Sequence, residues 1–479
     1  MYFNSMAYIF VFLPIVIFVY FFLNKKRLII PGKIWLILAS IFFYSSFNIK
    51  YTPLLLIYVV MNFCFYKQIH RLSEEKSKAK AVLITSIVVN LLILAGFKYC
   101  NFFIETINFA FKNSIPYINI IIPLAISLQT LQQIGFLVDS YKNKDIDYSF
   151  IDYCLFSIFF PQMIIGPIIK YNETIPQFNN LRKKIFNHKI FVMGITIFLV
   201  GFYKKSFFAA ALDETIIDKL TVLSSLSTVE SWLLCIFEYF RIYLELSGIM
   251  DMAIGSAMML NIELPINFKS PMQANSIADF WERWQITFAR FMKNYVYLPL
   301  KSLNNKDWFI DLSILLTCIL GGLWLNSSIC AIFWGVLHGF GFLIYRTWNK
   351  LNFKLPNFIS VTLTFIFVAF AGMFFKVQTM SQMRELSSNL FSLTKFDTVT
   401  LNQHALTFLG SGAERTWAVF PLIICVIGLL LTMFRVSIEG KDLAKFVKPN
   451  VIWTFVLALA IVELIYFYTP PARYMYYNF

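Results

Sequence analysis

Charged side chains, amides, tryptophans and one histidine are concentrated in residues 279–338, between very apolar segments. This region opens with Asp279-Phe280-Trp281-Glu282-Arg283-Trp284-Gln285 and closes at Trp334-Gly335-Val336-Leu337-His338. Polar groups held at membrane depth are costly in free energy, so they are candidates for function by default. A neutral imidazole is suited to accept a proton, and an amide can orient a substrate or polarise a carbonyl. His338 and Gln285 are therefore the first candidates for chemistry.

The composition of the whole chain indicates a membrane protein. Of its 479 residues, 58% are hydrophobic and 14% are charged, whereas roughly a quarter of the residues in a soluble chain are charged. The net charge of +15 is explained by basic loops on the cytoplasmic side, and no soluble basic module points to nucleic acid. The seven cysteines and four histidines are scattered, so neither a disulfide framework nor a metal site is expected.

Apolar runs predict an all-α, polytopic fold of about 11–13 helices. The first run, 6–23, is followed at once by Asn24-Lys25-Lys26-Arg27, which places the N-terminus outside and this basic end in the cytoplasm. Further spans are expected at 33–48, 52–66, 81–97, 118–138, 150–169, 190–211, 229–260, 309–346 (long enough for two), 356–375, 417–434 and 451–468, with an extra apolar segment near 102–112.

No linker is polar enough to be a soluble domain, and no internal repeat is visible. We therefore predict a single membrane-embedded domain over 1–479, with N-terminal helices in 1–115, a motif-bearing core in 116–346 and C-terminal helices in 347–479. The longest loop candidate is 376–416.

Two carboxylates, Glu245 and Asp251, lie inside one predicted span. A charged side chain at this depth indicates either a functional site or a buried ion pair, and the sequence leaves both open. The Gln and Ser residues of neighbouring spans have a plainer interpretation as interhelical hydrogen-bonding groups.

Several segments together resemble the membrane-bound O-acyltransferase (MBOAT) family, in its bacterial branch typified by the alginate O-acetylation and teichoic-acid D-alanylation membrane proteins. The resemblance covers most of the chain in the right order. It rests on 123–139, Phe160-Pro161-Gln162, Gly166-Pro167, 243–255, Pro265-Ile266-Asn267-Phe268, Phe280-Trp281-Glu282-Arg283-Trp284, Tyr295-Val296-Tyr297-Leu298-Pro299-Leu300, Gly321-Gly322-Leu323-Trp324, Trp334-Gly335, Phe374-Phe375-Lys376 and the aromatic C-terminus 474–479.

The resemblance implies helices around a central tunnel, in the cytoplasmic (inner) membrane of a bacterium. It implies transfer of an acyl group from a cytoplasmic thioester such as acetyl-CoA, with no bound cofactor. The acceptor is a hydroxyl of envelope polysaccharide, reached directly or through an acyl carrier or an extracytoplasmic acyltransferase partner. Substrate binding is implied for Trp281, Arg283, Trp284, Asn294, Trp324, Asn326, Glu245 and Asp251. The tryptophans have an alternative as interfacial or packing residues, and Arg283 as part of an exposed amphipathic face.

The sequence departs from the family pattern at both polar positions of the reaction centre. The residue after Arg283-Trp284 is Gln285, which keeps an amide. The residue after Leu323-Trp324, where the family has its catalytic histidine, is Leu325, which has no proton to move.

His338 is the histidine of this region that remains as a candidate base. On one continuous helix, the 13 residues from Leu325 to His338 correspond to about 19 Å of rise and a rotation of roughly 220°, which separates the two positions. A break at 326–328 could bring the chain back. His338 is therefore either a base or a helix-packing residue beside Gly335 and Gly339.

Two functions follow from these residues. The first is an acyltransferase whose base has moved or is supplied by a partner. The second is a non-catalytic relative that serves as an acyl or lipid conduit or as a scaffold in envelope assembly. If the chain is active, we expect activity to survive changes at Leu325 and to be lost on His338→Ala or Gln285→Ala.

Overall fold

The computed structural model describes the chain except for residues 113, 121, 144–146, 352, 378, 393–422, 429, 431–436, 438, 448–449 and 467–479. The described residues form helices and contain no β-strand, as the sequence predicts. They divide into two compact units. The first comprises Met1–Leu199, Ile249–Ile266 and Ala444–Phe479, and the second comprises Val200–Gly248 and Asn267–Leu443.

The first unit is built from helices at both ends of the chain. Its α-helices are α1 (Leu13–Lys25), α2 (Ile29–Ser45), α3 (Thr52–Arg71), α4 (Lys76–Leu94), α5 (Cys100–Phe111), α6 (Ile126–Lys142), α7 (Phe150–Ile158), α8 (Phe160–Met163), α9 (Tyr171–Asn179) and most of α10 (His188–Tyr203). Single π-helical turns, Ala7–Phe12 and Ala95–Tyr99, precede α1 and α5.

The second unit contains the region that the sequence singles out. Its α-helices are α11 (Ala210–Thr221), the first part of α12 (Thr228–Met259), α13 (Ile277–Trp281), α14 (Ile286–Phe291), α15 (Leu298–Lys301), α16 (Asp307–Leu325), α17 (Ile329–Lys350), α18 (Asn357–Gly372), α19 (Met380–Leu390) and α20 (Gly440–Leu443). The last described helix, α21 (Val451–Tyr466), returns to the first unit.

Six helical stretches of the described chain are long and apolar enough to cross a membrane. They are Ala7–Lys25, Ile49–Arg71, Lys76–Asn108, His188–Thr221, Asp307–Leu325 and Ile329–Lys350. Shorter apolar helices cover Ile29–Ser45, Asn357–Gly372 and Phe455–Ile465. The prediction of an all-α polytopic membrane protein is confirmed, and 309–346 forms two helices as expected. The total of about 11–13 spans and the central tunnel stay predictions.

Three predicted segments differ in detail. The span expected at 118–138 becomes helical only at Ile126, because Ala125 takes a left-handed conformation with φ of 66°. The span expected at 150–169 is interrupted at Phe159, whose ψ of 116° ends α7. The expected loop 376–416 contains α19. Most of 417–434, much of that loop and the aromatic C-terminus lie outside the described residues.

Candidate functional site

A short helix and a sharp turn position the first candidate residues. Ser276 caps α13 by accepting a hydrogen bond from the backbone N–H of Asp279 at 3.2 Å. The Asp279 carboxylate in turn pairs with Nε of Arg283 at 2.6 Å, one helical turn later. Arg283 is thus held by its own segment, and its side chain is only 27% exposed.

Gln285 sits in a left-handed turn directly before α14, with φ of 41° and ψ of 54°. A non-glycine residue rarely takes this conformation, so the surrounding structure has to impose it. Asn267 does so: its backbone oxygen accepts from the N–H of Ile286 at 2.9 Å, and its Oδ1 accepts from Thr287 N and Oγ1 at 2.9 and 2.8 Å. Gln285 itself is 5% exposed. A buried amide is therefore held at one fixed point of the backbone.

Leu325, which stands where the resemblance places a histidine, lies at the end of a tight helical hairpin. α16 ends at Leu325, the chain turns at 326–328, and Ser328 caps α17 through the N–H of Ala331 at 3.2 Å. Close approach of the two helices is possible because Gly335 has no side chain, since a Cβ there would lie 2.6 Å from the carbonyl oxygen of Cys318. Leu325 is 7% exposed, so a buried aliphatic side chain occupies the end of α16.

The hairpin also settles where His338 lies relative to Leu325. The break at 326–328, one of the two alternatives left open by the sequence, is present. His338 is nine residues into α17, which is about 13 Å along the helix from its start. Its neighbour Gly339 packs against Leu315, ten residues before the end of α16. His338 thus lies well down the hairpin from the end that carries Leu325.

His338 is enclosed by aromatic rings. It is 1% exposed, and its ring centroid lies 4.3 Å from that of Trp334 and 5.7 Å from that of Phe367. The indole Nε1–H of Trp281 donates to its Nδ1 at 3.2 Å. The structure therefore brings together two residues predicted for the site, His338 and Trp281.

This hydrogen bond fixes the protonation pattern of the imidazole. Because Nδ1 accepts from Trp281, the proton of the neutral ring is on Nε2. Nε2 is buried, and within the described part of the chain it has no hydrogen-bond partner. Nδ1, the nitrogen that could accept a proton, already accepts the hydrogen bond from Trp281. This favours the packing interpretation of His338. The base role of His338 stays a prediction.

Replacing His338 by Asn separates the two interpretations. The Asn oxygen can accept from Trp281 near the position of Nδ1, but an amide cannot take a proton. We expect His338→Asn to fold like wild type and to keep activity, whereas His338→Ala loses about 1–3 kcal/mol of unfolding free energy because the Trp281 N–H is left unpaired. Unfolding in detergent, read alongside an activity assay, checks this. A folded but inactive His338→Asn variant would instead identify His338 as the base.

The remaining predicted tryptophans pack against rings of the same unit. Trp284 stacks on Phe280 at 5.4 Å and on Tyr239 at 5.9 Å between centroids. Trp324 stacks on Phe288 at 4.6 Å. These contacts support the packing alternative for the tryptophans. Trp284 directly precedes Gln285, and Phe288 lies in α14, the helix that follows Gln285.

Of the four remaining predicted residues, two are partly exposed and two are buried. Asn294 lies in the π-helical turn Met292–Tyr297, and Asn326 follows α16 with its N–H bonded to the Gly322 oxygen at 2.9 Å. Both are partly exposed. Asp251 is buried but belongs to the first unit, and Glu245 belongs to the second.

Glu245 belongs to a buried ionic cluster. Arg241 donates through Nε and Nη2 to Glu238, both at 2.6 Å, and through Nη1 to Glu245 at 2.8 Å. Lys205 completes the pairing of Glu245 at 3.2 Å. These four side chains are 0–8% exposed. Of the alternatives given by the sequence for Glu245, the structure shows the ion pair.

A further buried carboxylate of the same unit, Glu439, comes from a distant part of the chain. Its Oε1 accepts from the Tyr243 hydroxyl and from the N–H of Ser270, each at 2.9 Å, and its Oε2 lies 3.6 Å from Lys204 Nζ. Sequence reasoning singled out neither Arg241 nor Glu439. For Arg241, the available signal was the spacing of Glu238, Arg241 and Glu245 on one helix face. The role of Glu439 is visible only in the three-dimensional structure.

In the described residues, no group of three or more His, Cys, Asp or Glu side chains is placed to hold a metal ion. What this unit offers instead is a buried amide at a fixed turn, an aromatic wall and an ionic cluster. These are groups that can bind and polarise a substrate, and Leu325 contributes no proton transfer.

Comparison with known proteins identifies the family. A family model described as MBOAT, membrane-bound O-acyltransferase family, matches residues 36–383. The chain belongs to this family. The resemblance read from the sequence motifs is confirmed.

Individual relatives are enzymes of envelope polymers. The chain is 34% identical over 441 residues to the peptidoglycan O-acetyltransferase of Helicobacter pylori, covering 85% of this chain and 83% of the relative. It is 29% identical to the probable alginate O-acetylase AlgI of Pseudomonas syringae pv. tomato, over 85% of this chain and 79% of the relative. It is 24% identical to the teichoic acid D-alanyltransferase of Bacillus subtilis, over 45% of this chain and 58% of the relative.

Proposed function

We propose that this MBOAT member transfers an acyl group, acetyl in the first instance, from a cytoplasmic thioester donor towards the hydroxyls of a cell-envelope polysaccharide. The observation that carries the proposal is the similarity to the Helicobacter pylori peptidoglycan O-acetyltransferase along 85% of this chain. The alginate relative shares the reaction type in its name, O-acetylation, on a different polymer. Acyl transfer to an envelope polymer is thus common to relatives with different acceptors.

The reaction has simple requirements. The acceptor oxygen attacks the thioester carbonyl, the carbon–sulfur bond breaks, and the thiol of the donor leaves. The hydroxyl proton passes to a base, and the negative charge that develops on the carbonyl oxygen needs a hydrogen-bond donor. With acetyl-CoA as the donor, the products are the acetyl ester and free CoA. No bound cofactor is part of this proposal.

Gln285 is the residue that we assign to the carbonyl. Its amide can donate to the developing oxyanion, and the turn held by Asn267 and Thr287 fixes its backbone. Trp281, Trp284 and Trp324 would form the apolar wall beside the acyl group. For the base, the proposal favours a group from a partner protein, because His338 Nδ1 already accepts from Trp281. His338 is the alternative, and loss of activity in a folded His338→Asn variant would identify it as the base.

The proposal includes a location and partners. The chain would cross the cytoplasmic membrane of a bacterium several times, with its N-terminus outside and the Lys25-Lys26-Arg27 segment in the cytoplasm. An acyl carrier or an extracytoplasmic acyltransferase would receive the acyl group where the polysaccharide lies beyond the reach of the membrane protein.

Leu325 favours a second candidate, a non-catalytic member that acts as an acyl or lipid conduit or as a scaffold. A buried leucine stands where the family resemblance places a histidine. A scaffold would need the fold and its surfaces, but not the amide of Gln285.

The O-acetyl content of the envelope in the host bacterium tests whether this protein takes part in acetyl transfer. We expect deletion of the gene to lower the base-labile O-acetyl content of the envelope polysaccharide several-fold, because the donor cannot cross the membrane unaided. Wild type and Leu325→Ala should restore it, and Gln285→Ala should not. Unchanged O-acetyl content in the deletion strain would overturn the proposed function. Restoration by Gln285→Ala at wild-type protein levels would favour the scaffold.

A further inference from the structure

A long groove runs along one side of the first unit. Its volume is about 1390 Å³, and it is bounded by α1, the segment before α10, α10 itself and α21. Aliphatic and aromatic side chains make up most of its lining, among them Ile9, Leu13, Ile195, Leu199 and Leu464. The groove lies entirely among residues of the first unit.

The groove has two different ends, because α1 and α10 run in opposite directions along it. Near one end, the ring of Phe21 lies 5.1 Å from that of Phe186, just before α10. Near the other, the ring of Tyr8 lies 6.2 Å from that of Phe198, late in α10. From Ile9 to Lys25 the first helical segment rises by about 24 Å, close to the depth of one membrane leaflet with its headgroups, about 20–22 Å.

The basic lining residues all belong to the end marked by Phe21 and Phe186. Lys25 ends α1, Arg27 follows it, Lys184 precedes α10 and His188 begins it. The opposite end, from Ile9 to Leu199, is apolar. The lining therefore has one cationic end and one hydrocarbon end.

Lys184 is a buried cation in this cationic end. It is 7% exposed, and its Nζ lies 3.2 Å from the Tyr20 hydroxyl and 5.3 Å from the centroid of the Tyr20 ring. Within the described chain Lys184 forms no salt bridge, and the nearby Asp152 pairs with Lys33 at 2.5 Å. The cost of burying an ammonium group without a counter-ion is high.

Two further observations indicate that this end is suited to an anion and a hydrogen-bond donor. Burial, with a smaller contribution from the charge of Lys33 and against the attraction of Asp152, lowers the pKa of Lys184 to about 8. The Oδ1 atom of Asn24, which lines the same end, is buried and accepts no hydrogen bond from the described residues.

We propose that this groove binds one anionic phospholipid of the surrounding bilayer. The phosphate lies between Lys184, Lys25 and Arg27, a headgroup hydroxyl donates to Asn24 Oδ1, and the acyl chains lie along Leu13, Ile195 and Leu199. A lipid matches the lining at both ends, with its charge at the basic end and its chains along the apolar one. The inference is independent of the proposed acyl transfer, since the groove belongs to the first unit and Gln285 to the second.

Lipid competition on the full-length chain tests this. The protein is purified in detergent, equilibrated with equal amounts of phosphatidylglycerol and phosphatidylcholine, and the retained lipid is counted by native mass spectrometry. We expect phosphatidylglycerol to predominate in a one-to-one complex. Since a basic residue near an anionic lipid surface contributes roughly a fivefold preference, Lys184→Gln and the pair Lys25→Gln/Arg27→Gln should each lower the ratio by at least that factor.

Matched variants keep the test decisive. Lys26→Gln removes the same charge between Lys25 and Arg27, but Lys26 does not line the groove, so the ratio should stay at the wild-type value. Ile195→Trp should lower the amount of both lipids, because it fills the apolar part. If Lys184→Gln does not fold, the lipid ratio of the Lys25→Gln/Arg27→Gln variant, at two exposed residues, is sufficient to test the proposal. Equal retention of the two lipids by wild type, or an equal effect of Lys26→Gln, would overturn the proposal.

Discussion

Replacement of Arg241 by Met is expected to lower the free energy of unfolding by about 3–5 kcal/mol, one of the two largest effects predicted for a single substitution in this chain. Arg241 carries the hydrogen bonds of Glu238, which is 0% exposed, and one of those of Glu245. Removing the guanidinium leaves the Glu238 charge buried without its partner. Reversible unfolding of purified protein in mixed detergent measures the loss.

The controls separate charge burial from loss of side-chain volume. Arg346→Met breaks pairs to Asp307 and Asp311, whose side chains are 70% and 42% exposed, and should cost about 0–1 kcal/mol. The double variant Glu238→Leu/Arg241→Met removes one charge of each sign and leaves Glu245 with Lys205. It should recover more than half of the loss. An Arg241→Met variant as stable as wild type would contradict the burial of this cluster.

Gly335→Ala is the second substitution with a large expected effect. A Cβ at this position would lie 2.6 Å from the Cys318 oxygen and 2.7 Å from the Ile319 Cα, so the backbones of α16 and α17 would have to separate. Overpacking of this kind costs about 1–3 kcal/mol or more. We expect a correspondingly lower melting temperature in detergent.

Gly372→Ala provides the matched control. The same methyl group added at Gly372, near the end of α18, meets no atom within 4 Å. Because alanine favours helix over glycine by roughly 0.5–1 kcal/mol, this variant should be as stable as wild type or slightly more stable. If the two glycines responded alike, the close approach of the α16–α17 hairpin would be refuted.

The membrane helices were predictable because their signal is local. An apolar run long enough to cross a bilayer needs no partner to be recognised, and the run 309–346 was visibly long enough for two helices. The ends of the helices were harder to predict from the sequence. Ala125 and Phe159 interrupt predicted spans through their backbone conformations, and neither alanine nor phenylalanine is a residue type that marks a helix break in a sequence.

The candidate site shows the same division between local and distant signals. Leu325 at the position where the family resemblance places a histidine is visible from the sequence alone, as is the spacing of Glu238, Arg241 and Glu245. The hydrogen bond from Trp281 to His338 joins residues 57 apart, and Glu439 meets Tyr243 across 196 residues. Such contacts are created by packing. The left-handed turn at Gln285 was equally hidden, because glutamine is not a residue that marks such turns.

Acetyl transfer by the purified chain tests the central claim most directly. Radiolabelled acetyl-CoA, the protein in lipid nanodiscs and envelope polysaccharide are mixed, with and without membranes that supply its natural partners. Gln285→Ala and Gln285→Asn are run beside wild type, since Asn keeps the amide and tolerates the left-handed turn. We predict label in the polysaccharide with wild type, a fall in transfer of roughly 100-fold or more with Gln285→Ala, and substantial retention of transfer with Gln285→Asn. Silence of wild type with acceptor and partners present would contradict it.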